Sequence, residues 1–207
     1  MQLRTRELLK QTENLPTDEF SITCGERRFS DESAARSYLE DLKSRLVDLS
    51  QWNACSGLSS YELFDGDGSP VHDKRIKPGY FLQITLHGSG KSDWVRIEEV
   101  FESPDELIIT VKPIYDPTGD PPQTGTISHF FSSEATNNFC VFREDDKVSL
   151  YVIGLNERLN SSHTSGVLET ARNTAVANLG YYLGIQKSEW KKFCKSFLNG
   201  EQESASG

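Results

Sequence analysis

The spacing of apolar positions changes twice along the chain. Phe20, Ile22 and Cys24 alternate with Ser21 and Thr23, the period of a short half-buried strand, and Gly25 is expected to end it. From Ala35, the positions Tyr38, Leu39, Leu42, Leu46 and Leu49 recur at spacings of three and four. That lays one apolar stripe along a helix of about five turns. Ser30 is the expected N-cap, with Asp31, Glu32 and Ser33 in the first turn, where acidic groups favour the helix dipole. Arg36, Glu40, Lys43 and Arg45 fall on the opposite, solvated face. Trp52 is expected to close the helix onto the core.

Between residues 60 and 158 the period becomes two. Tyr61 and Leu63 lead into Asp65-Gly66-Asp67-Gly68, a hairpin signal, with Val71 beyond it. Tyr80, Leu82, Ile84 and Leu86 share one strand face. Val95, Ile97 and Phe101 alternate with Arg96 and Glu98, and Leu107, Ile109, Val111 and Tyr115 with Thr110 and Lys112. Ser103-Pro104-Asp105-Glu106 is a short turn between those two strands. Ile127 to Phe131 is read as a further strand, after an exposed Pro- and Gly-rich loop from Asp116 to Thr126. Phe139 and Val141 lead through Glu144-Asp145-Asp146-Lys147 to Val148, Leu150 and Val152, the clearest hairpin in the chain. Such short connections require antiparallel neighbours, because parallel strands need long crossovers.

Helical spacing returns at Leu168, Ala171, Ala175, Leu179 and Tyr182, with Gly184 as the C-terminal cap. A short final helix from Ser188 to Leu198 carries Trp190, Phe193, Cys194 and Phe197 on its apolar side. The fold expected is therefore α+β: a curved antiparallel sheet of about six or seven strands, packed on a long C-terminal helix. An N-terminal helix and a short final helix complete it, and an open barrel with flanking helices is the alternative. Residues 1–18 are read as a flexible N-terminal segment with at most a loose helix, 19–199 as a single α+β domain, and 200–207 as a disordered tail.

Composition narrows the class. The chain has 207 residues, enough to bury a core without a disulfide or metal staple. Its net charge of −9 disfavours nucleic acid and anionic membrane surfaces as partners, since both demand clustered Lys and Arg. Cys24, Cys55, Cys140 and Cys194 are scattered and form neither a zinc pattern nor a disulfide framework. They read as reduced thiols, which points to the cytoplasm. The charged start of the chain is not a signal peptide, and no stretch approaches the roughly 18 apolar residues of a membrane span.

The tempting motifs fail on chemistry. Gly88-Ser89-Gly90-Lys91-Ser92 lacks the first glycine of a phosphate loop, Thr85 standing there, and a strand rather than a helix follows it. Asp65 to Gly68 lacks the remaining ligands of a calcium loop. His72, His87, His129 and His163 have no zinc spacing, so no metal and no cofactor is expected. The best polar constellation lies on strands: Arg96 and Glu98 beside Trp94, the trio Asn156-Glu157-Arg158 ending the last strand, and His129. Arg96 and Glu98 facing water would be a cross-strand charge set of small value; facing inward they would line a cavity. The aliphatic residues on the other face of that strand favour the outward reading.

Two resemblances accompany these residues. Gly79-Tyr80-Phe81 through Asp93 to Glu98, His129-Phe130-Phe131, Ala135 to Phe139, Asn156-Glu157-Arg158 and Lys187 to Trp190 are similar to a family of uncharacterised bacterial proteins. That resemblance brings no activity with it. The order of strand, helix, long meander and C-terminal helix resembles the helix-grip order of START-like and polyketide-cyclase-like proteins. Those proteins often hold an apolar ligand between sheet and helix. The chain departs from that order in ending with two helices and in its short first strand.

Three functions follow in rank. The first is non-catalytic binding of a small, largely apolar ligand in a sheet–helix cavity, with Tyr80, Leu82, Trp94, Arg96, Glu98, His129, Phe139 and Tyr182 as candidate lining. The second is a protein-interaction or assembly module using Trp190, Lys191, Phe193 and Phe197 of the basic-aromatic last helix. The third is an enzyme, a hydrolase or cyclase using His129 and Glu98.

Overall fold

A computed structural model describes residues 3–57, 59–87, 92–118, 131–158 and 187–200. All but Phe131 of the expected strand Ile127–Phe131, the long helix over Leu168–Tyr182, and candidates His129 and Tyr182 lie outside the described residues, as does most of the Asp116–Thr126 loop.

Seven antiparallel strands form one curled, half-barrel sheet: β1 (Phe20–Arg28), β2 (Ser59–Phe64), β3 (Phe81–Leu86), β4 (Ser92–Ser103), β5 (Glu106–Ile114), β6 (Thr136–Glu144) and β7 (Lys147–Leu155). The order is β1-β7-β6-β5-β4-β3-β2. Strands β2 to β7 are thus a simple meander, and β1 adds to its far edge. Four described helices accompany the sheet: α1 (Arg4–Thr12), α2 (Glu32–Leu46), α3 (Leu49–Cys55) and α4 (residues 187–199).

The apolar stripe of the long predicted helix is real but is shared by two helices. Asp48 leaves helical geometry and accepts from the Ser50 backbone N–H at 2.9 Å, so α3 starts anew with its own cap. The break turns Leu49 and Trp52 inward, and both are fully buried. The first cap also sits one residue later than expected: Asp31, not Ser30, accepts from Ala34 N–H at 2.9 Å. Lys43, assigned to the solvated face, is 4 % exposed. Its ammonium donates to the Ser103 and Pro104 carbonyls at 2.6 and 3.2 Å and to Glu40 at 2.9 Å, tying α2 to the β4–β5 turn.

Helices α2, α3 and α4 cover one face of the sheet. There Leu39, Leu42, Leu46 and Trp52 meet Leu63, Leu82, Val95, Ile97, Ile109, Phe139, Val141, Leu150 and Val152. Gly25 does not end β1; it lies mid-strand opposite Leu150. A Cβ there would come within 2.7 Å of Leu198 Cδ1, so the missing side chain lets α4 lie close on the edge strand.

The second face is covered as well, by the segment expected to be loose. Leu3, Leu8, Leu9 and Leu15 pack on Ile108, Cys140, Phe142, Ile153 and Leu155. Strands β5 to β7 are consequently buried on both faces, which the alternating reading did not anticipate. A register shift between Ile97 and Glu99 explains one misplaced residue. The extra residue reverses the alternation, so Phe101 leaves the face of Val95 and Ile97 and joins the α1 side.

Arg143 joins two hairpin turns to the start of α2. Its guanidinium donates to Asp105 at 2.6 Å, to Glu32 at 2.9 Å and to the Asp145 carbonyl at 2.9 Å. Arg143→Met is expected to cost about 1–3 kcal/mol, less than a fully buried pair because Glu32 and Asp105 can regain water. Urea unfolding measures it; a loss below a few tenths would show that the two turns and α2 hold together without the guanidinium.

Candidate functional site

The candidate lining residues divide between two faces of the sheet. Leu82 and Phe139 lie under the helices, fully buried, and Tyr80 packs half-buried against the same core. Trp94 points the other way and is buried against Phe64, ring centroids 4.9 Å apart. Arg96 is exposed and pairs with Glu98 at 3.5 Å, the charge set facing water. The structure therefore does not bring Trp94, Arg96 and Glu98 together with Leu82 and Phe139.

The aromatic residues of α4 are interior. Trp190, Phe193 and Phe197 are at most 9 % exposed, while Lys191 is exposed. Phe139 packs on Trp52 at 4.5 Å, Trp190 at 5.2 Å and Phe193 at 6.0 Å. These rings fill the space between sheet and helix that a large apolar ligand would need.

Beside the first described turn of α4 the packing opens. A pocket of about 170 Å³ lies there, lined by Phe20, Ser21 and Thr23 of β1, by Glu157, by Lys187 and Trp190 of α4, and by Thr17 and Asp18. The sequence builds it in three steps. Asn156 takes the left-handed conformation, φ +53, which Asn tolerates better than most residues, and it turns the chain sharply after β7. Glu157 N–H then donates to the Glu19 carbonyl at 2.9 Å, and Arg158 pairs with Glu19 at 2.8 Å, fixing the turn to the start of β1. The Glu157 carboxyl is thereby laid back over Gly154. A Cβ on Gly154 would stand 2.0 Å from Glu157 Oε1 and 2.6 Å from Ser21 Oγ. Only glycine leaves room for the carboxyl.

The chemistry of this place is unusual for an interior. Glu157 is 7 % exposed, and burial pushes its pKa above the ordinary glutamate value, against the Ser21 hydroxyl and the Lys187 ammonium, which favour the ionised form. Its Oε1 and the Trp190 indole Nε1 have no hydrogen-bond partner among the described residues. Asn137 Oδ1, on the strand row that runs Asn137, Gly154, Ser21, is also unpaired. Native interiors seldom leave such groups unsatisfied, and each costs about 1–3 kcal/mol.

The consequence for stability has a definite sign. A carboxyl with a raised folded-state pKa binds its proton more tightly when folded than when unfolded. Its contribution is fully present below the unfolded value and is lost as pH rises through the folded one. Glu157→Gln is expected to flatten that part of the profile and to stabilise the protein at neutral pH by on the order of 1 kcal/mol. Thermal unfolding of both proteins across mildly acidic to neutral pH checks it; parallel profiles would refute the assignment.

The sequence marks this site only in part. Asn156-Glu157-Arg158 stands out as a polar strand end, but nothing in its spacing shows that Glu157 turns inward. The available signal is Gly154, a strand glycine three residues earlier, which marks a close approach.

No protein-family model matches the chain, and no curated protein matches it. Solved structures do. The hypothetical protein jhp0584 from Helicobacter pylori is 12 % identical, with 88 % of each chain covered and a TM-score of 0.54. The di-domain ARO/CYC StfQ from the steffimycin biosynthetic pathway is 8 % identical over 97 % of this chain and 56 % of its own, TM-score 0.49. An uncharacterized protein from Bacillus thuringiensis is 16 % identical over 86 % and 98 %, TM-score 0.44. The first likeness shows a shared fold and nothing further. Among the described residues no helix is long and apolar enough to cross a membrane, and no group of His, Cys, Asp and Glu could hold a metal ion.

Proposed function

We propose that the protein binds, without transforming it, a small and largely apolar molecule that enters between the sheet and α4. The observation that carries this reading is the opening lined by Phe20, Glu157 and Trp190, where an otherwise aromatic interior leaves space beside a buried carboxyl. An interior that needed only stability would replace Glu157 by an apolar side chain, because a buried carboxyl with one oxygen left without a partner opposes folding. The burial of Trp190, Phe193 and Phe197 speaks against the assembly-module alternative, which needs those rings at the surface.

The size of the opening limits the occupant. About 170 Å³ takes a single ring or a short chain, far less than the roughly 300–1,000 Å³ of drug-sized sites. Protein isolated from its own cell and sprayed intact in native mass spectrometry is expected to carry a small organic mass that Glu157→Leu loses. An apo mass for the wild type at every collision energy would overturn the reading.

A further inference from the structure

The two edges of the sheet are treated differently. At β2 the chain covers its own edge. The Asn53 carboxamide of α3 accepts the Tyr61 N–H at 2.8 Å and donates to the Tyr61 carbonyl at 3.0 Å, as a neighbouring strand would. Two residues on, the Leu63 carbonyl accepts the Val71 N–H at 2.8 Å. Cover of this kind keeps an edge strand from pairing with other chains. At β1 none is present among the described residues. Phe29 N–H donates to the Asp146 carbonyl at 2.8 Å, and β1 and β7 stay in one register from Phe20 to Arg28. The antiparallel alternation therefore turns the odd-numbered residues of β1 toward β7 and points the N–H and carbonyl of Cys24, Glu26 and Arg28 outward. No described group bonds those backbone atoms, and all three residues are exposed.

We propose that the open edge of β1 pairs, antiparallel and across a two-fold axis at Arg27, with β1 of a second copy of this chain. The charges select both the occupant and the register. Glu26 and Arg28 stand two residues apart on one strand face, with opposite signs. A two-fold axis at Arg27 sets Glu26 opposite the partner's Arg28 and Arg28 opposite the partner's Glu26, so two ion pairs accompany the backbone bonds. An axis at Glu26 would oppose like charges. An axis at Cys24 or Gly25 would set one charge or both against Phe20, Ile22 or Cys24, with no partner for them. Within its own chain Glu26 meets Lys147 at 3.3 Å and Arg28 meets Asp146 at 2.6 Å, so the paired edges form an alternating network of charges. Arg27, at the axis, is drawn to its own α4: it donates to the Leu198 carbonyl at 3.3 Å and lies over the Phe29 and Tyr38 rings. Backbone bonds supply the affinity in strand addition, and facing side chains supply the specificity.

Sedimentation of the full chain over a wide concentration range, in reducing buffer at low salt, tests this. The wild type is expected to show a concentration-dependent equilibrium between monomer and dimer. Glu26→Arg and Arg28→Glu each set like charges face to face, and each is expected to weaken the dimer at least about tenfold. Mixed in equal amounts, the two variants face each other with opposite charges and should recover the wild-type association. Glu26→Pro removes an outward N–H without touching a bond to β7, and should leave a folded monomer. The axis also separates the two Cys24 by roughly 20 Å, because each faces Ser30 of the other copy, so an oxidant should not cross-link them. A wild type that stays monomeric at every concentration would overturn the proposal. So would a dimer that survives both charge changes, a mixture that fails to recover, or a Cys24–Cys24 cross-link.

Discussion

Trp52→Ala is expected to lower the unfolding free energy by about 3–5 kcal/mol, the range for removing a large aromatic side chain from a packed core. Trp52 is fully buried where α3 meets the sheet. Its ring lies 4.5 Å from Phe139, 5.3 Å from Phe193 and 5.7 Å from Tyr61, so one side chain joins α3, α4 and strands β2 and β6. Its indole N–H also donates to the Leu46 carbonyl at 2.9 Å, which is left exposed to the cavity after truncation. Trp52→Phe keeps most of the volume and loses that bond, so it should cost less than half as much. Urea unfolding decides between them; a loss below about 1 kcal/mol for the alanine variant would mean that α4 is not packed on this cluster.

Glu106→Ala is expected to cost about 2–3 kcal/mol and to release α1 from the sheet. Leu3 at the N-cap offers no side-chain acceptor of its own. The acceptor comes from β5 instead: Glu106 takes the Arg4 N–H at 2.8 Å, the Thr5 N–H at 3.1 Å and the Thr5 hydroxyl at 3.0 Å. A carboxylate at this end also complements the helix dipole. Arg4 adds a two-pronged bond to Glu99, both at 2.9 Å, with its guanidinium 4.3 Å above the Phe101 ring. Without Glu106 the apolar residues Leu3, Leu8 and Leu9 lose their anchor over Ile108 and Phe142. Amide exchange should quicken across residues 3–15 and stay slow in β6 and β7. Slow exchange in α1 despite the substitution would show that apolar contact alone holds the helix.

The architecture was legible wherever local periodicity decides structure. The period-two stretches of β2 to β7, the 144–147 hairpin and the stripe of Leu39, Leu42 and Leu46 all stand where their spacing put them. What escaped depends on contacts distant in sequence. The polar start of the chain looks unable to fold because its cap acceptor is Glu106, about a hundred residues away. Lys43 looks solvated because the carbonyls that bury it belong to the β4–β5 turn. Phe101 looks like a neighbour of Ile97 because nothing in the sequence shows the extra residue that reverses the alternation. The candidate site suffered in the same way. Trp94, Arg96 and Glu98 attracted notice as a polar set on one strand and lie on the outer side of the sheet. Glu157 turns inward through a left-handed Asn156 and the empty space over Gly154, neither of which has a periodic signature.

The site centres on a buried carboxyl, that of Glu157, whose Oε1 has no partner. A carbon-detected titration of the Glu157 side chain in the intact protein, assigned against Glu157→Gln, tests that directly. Desolvation should place its midpoint above the ordinary glutamate value despite Lys187, and an occupant of the pocket should move it further. A midpoint at or below the ordinary value would mean that water or Lys187 satisfies the carboxyl, and the pocket would then be no more than a surface dimple.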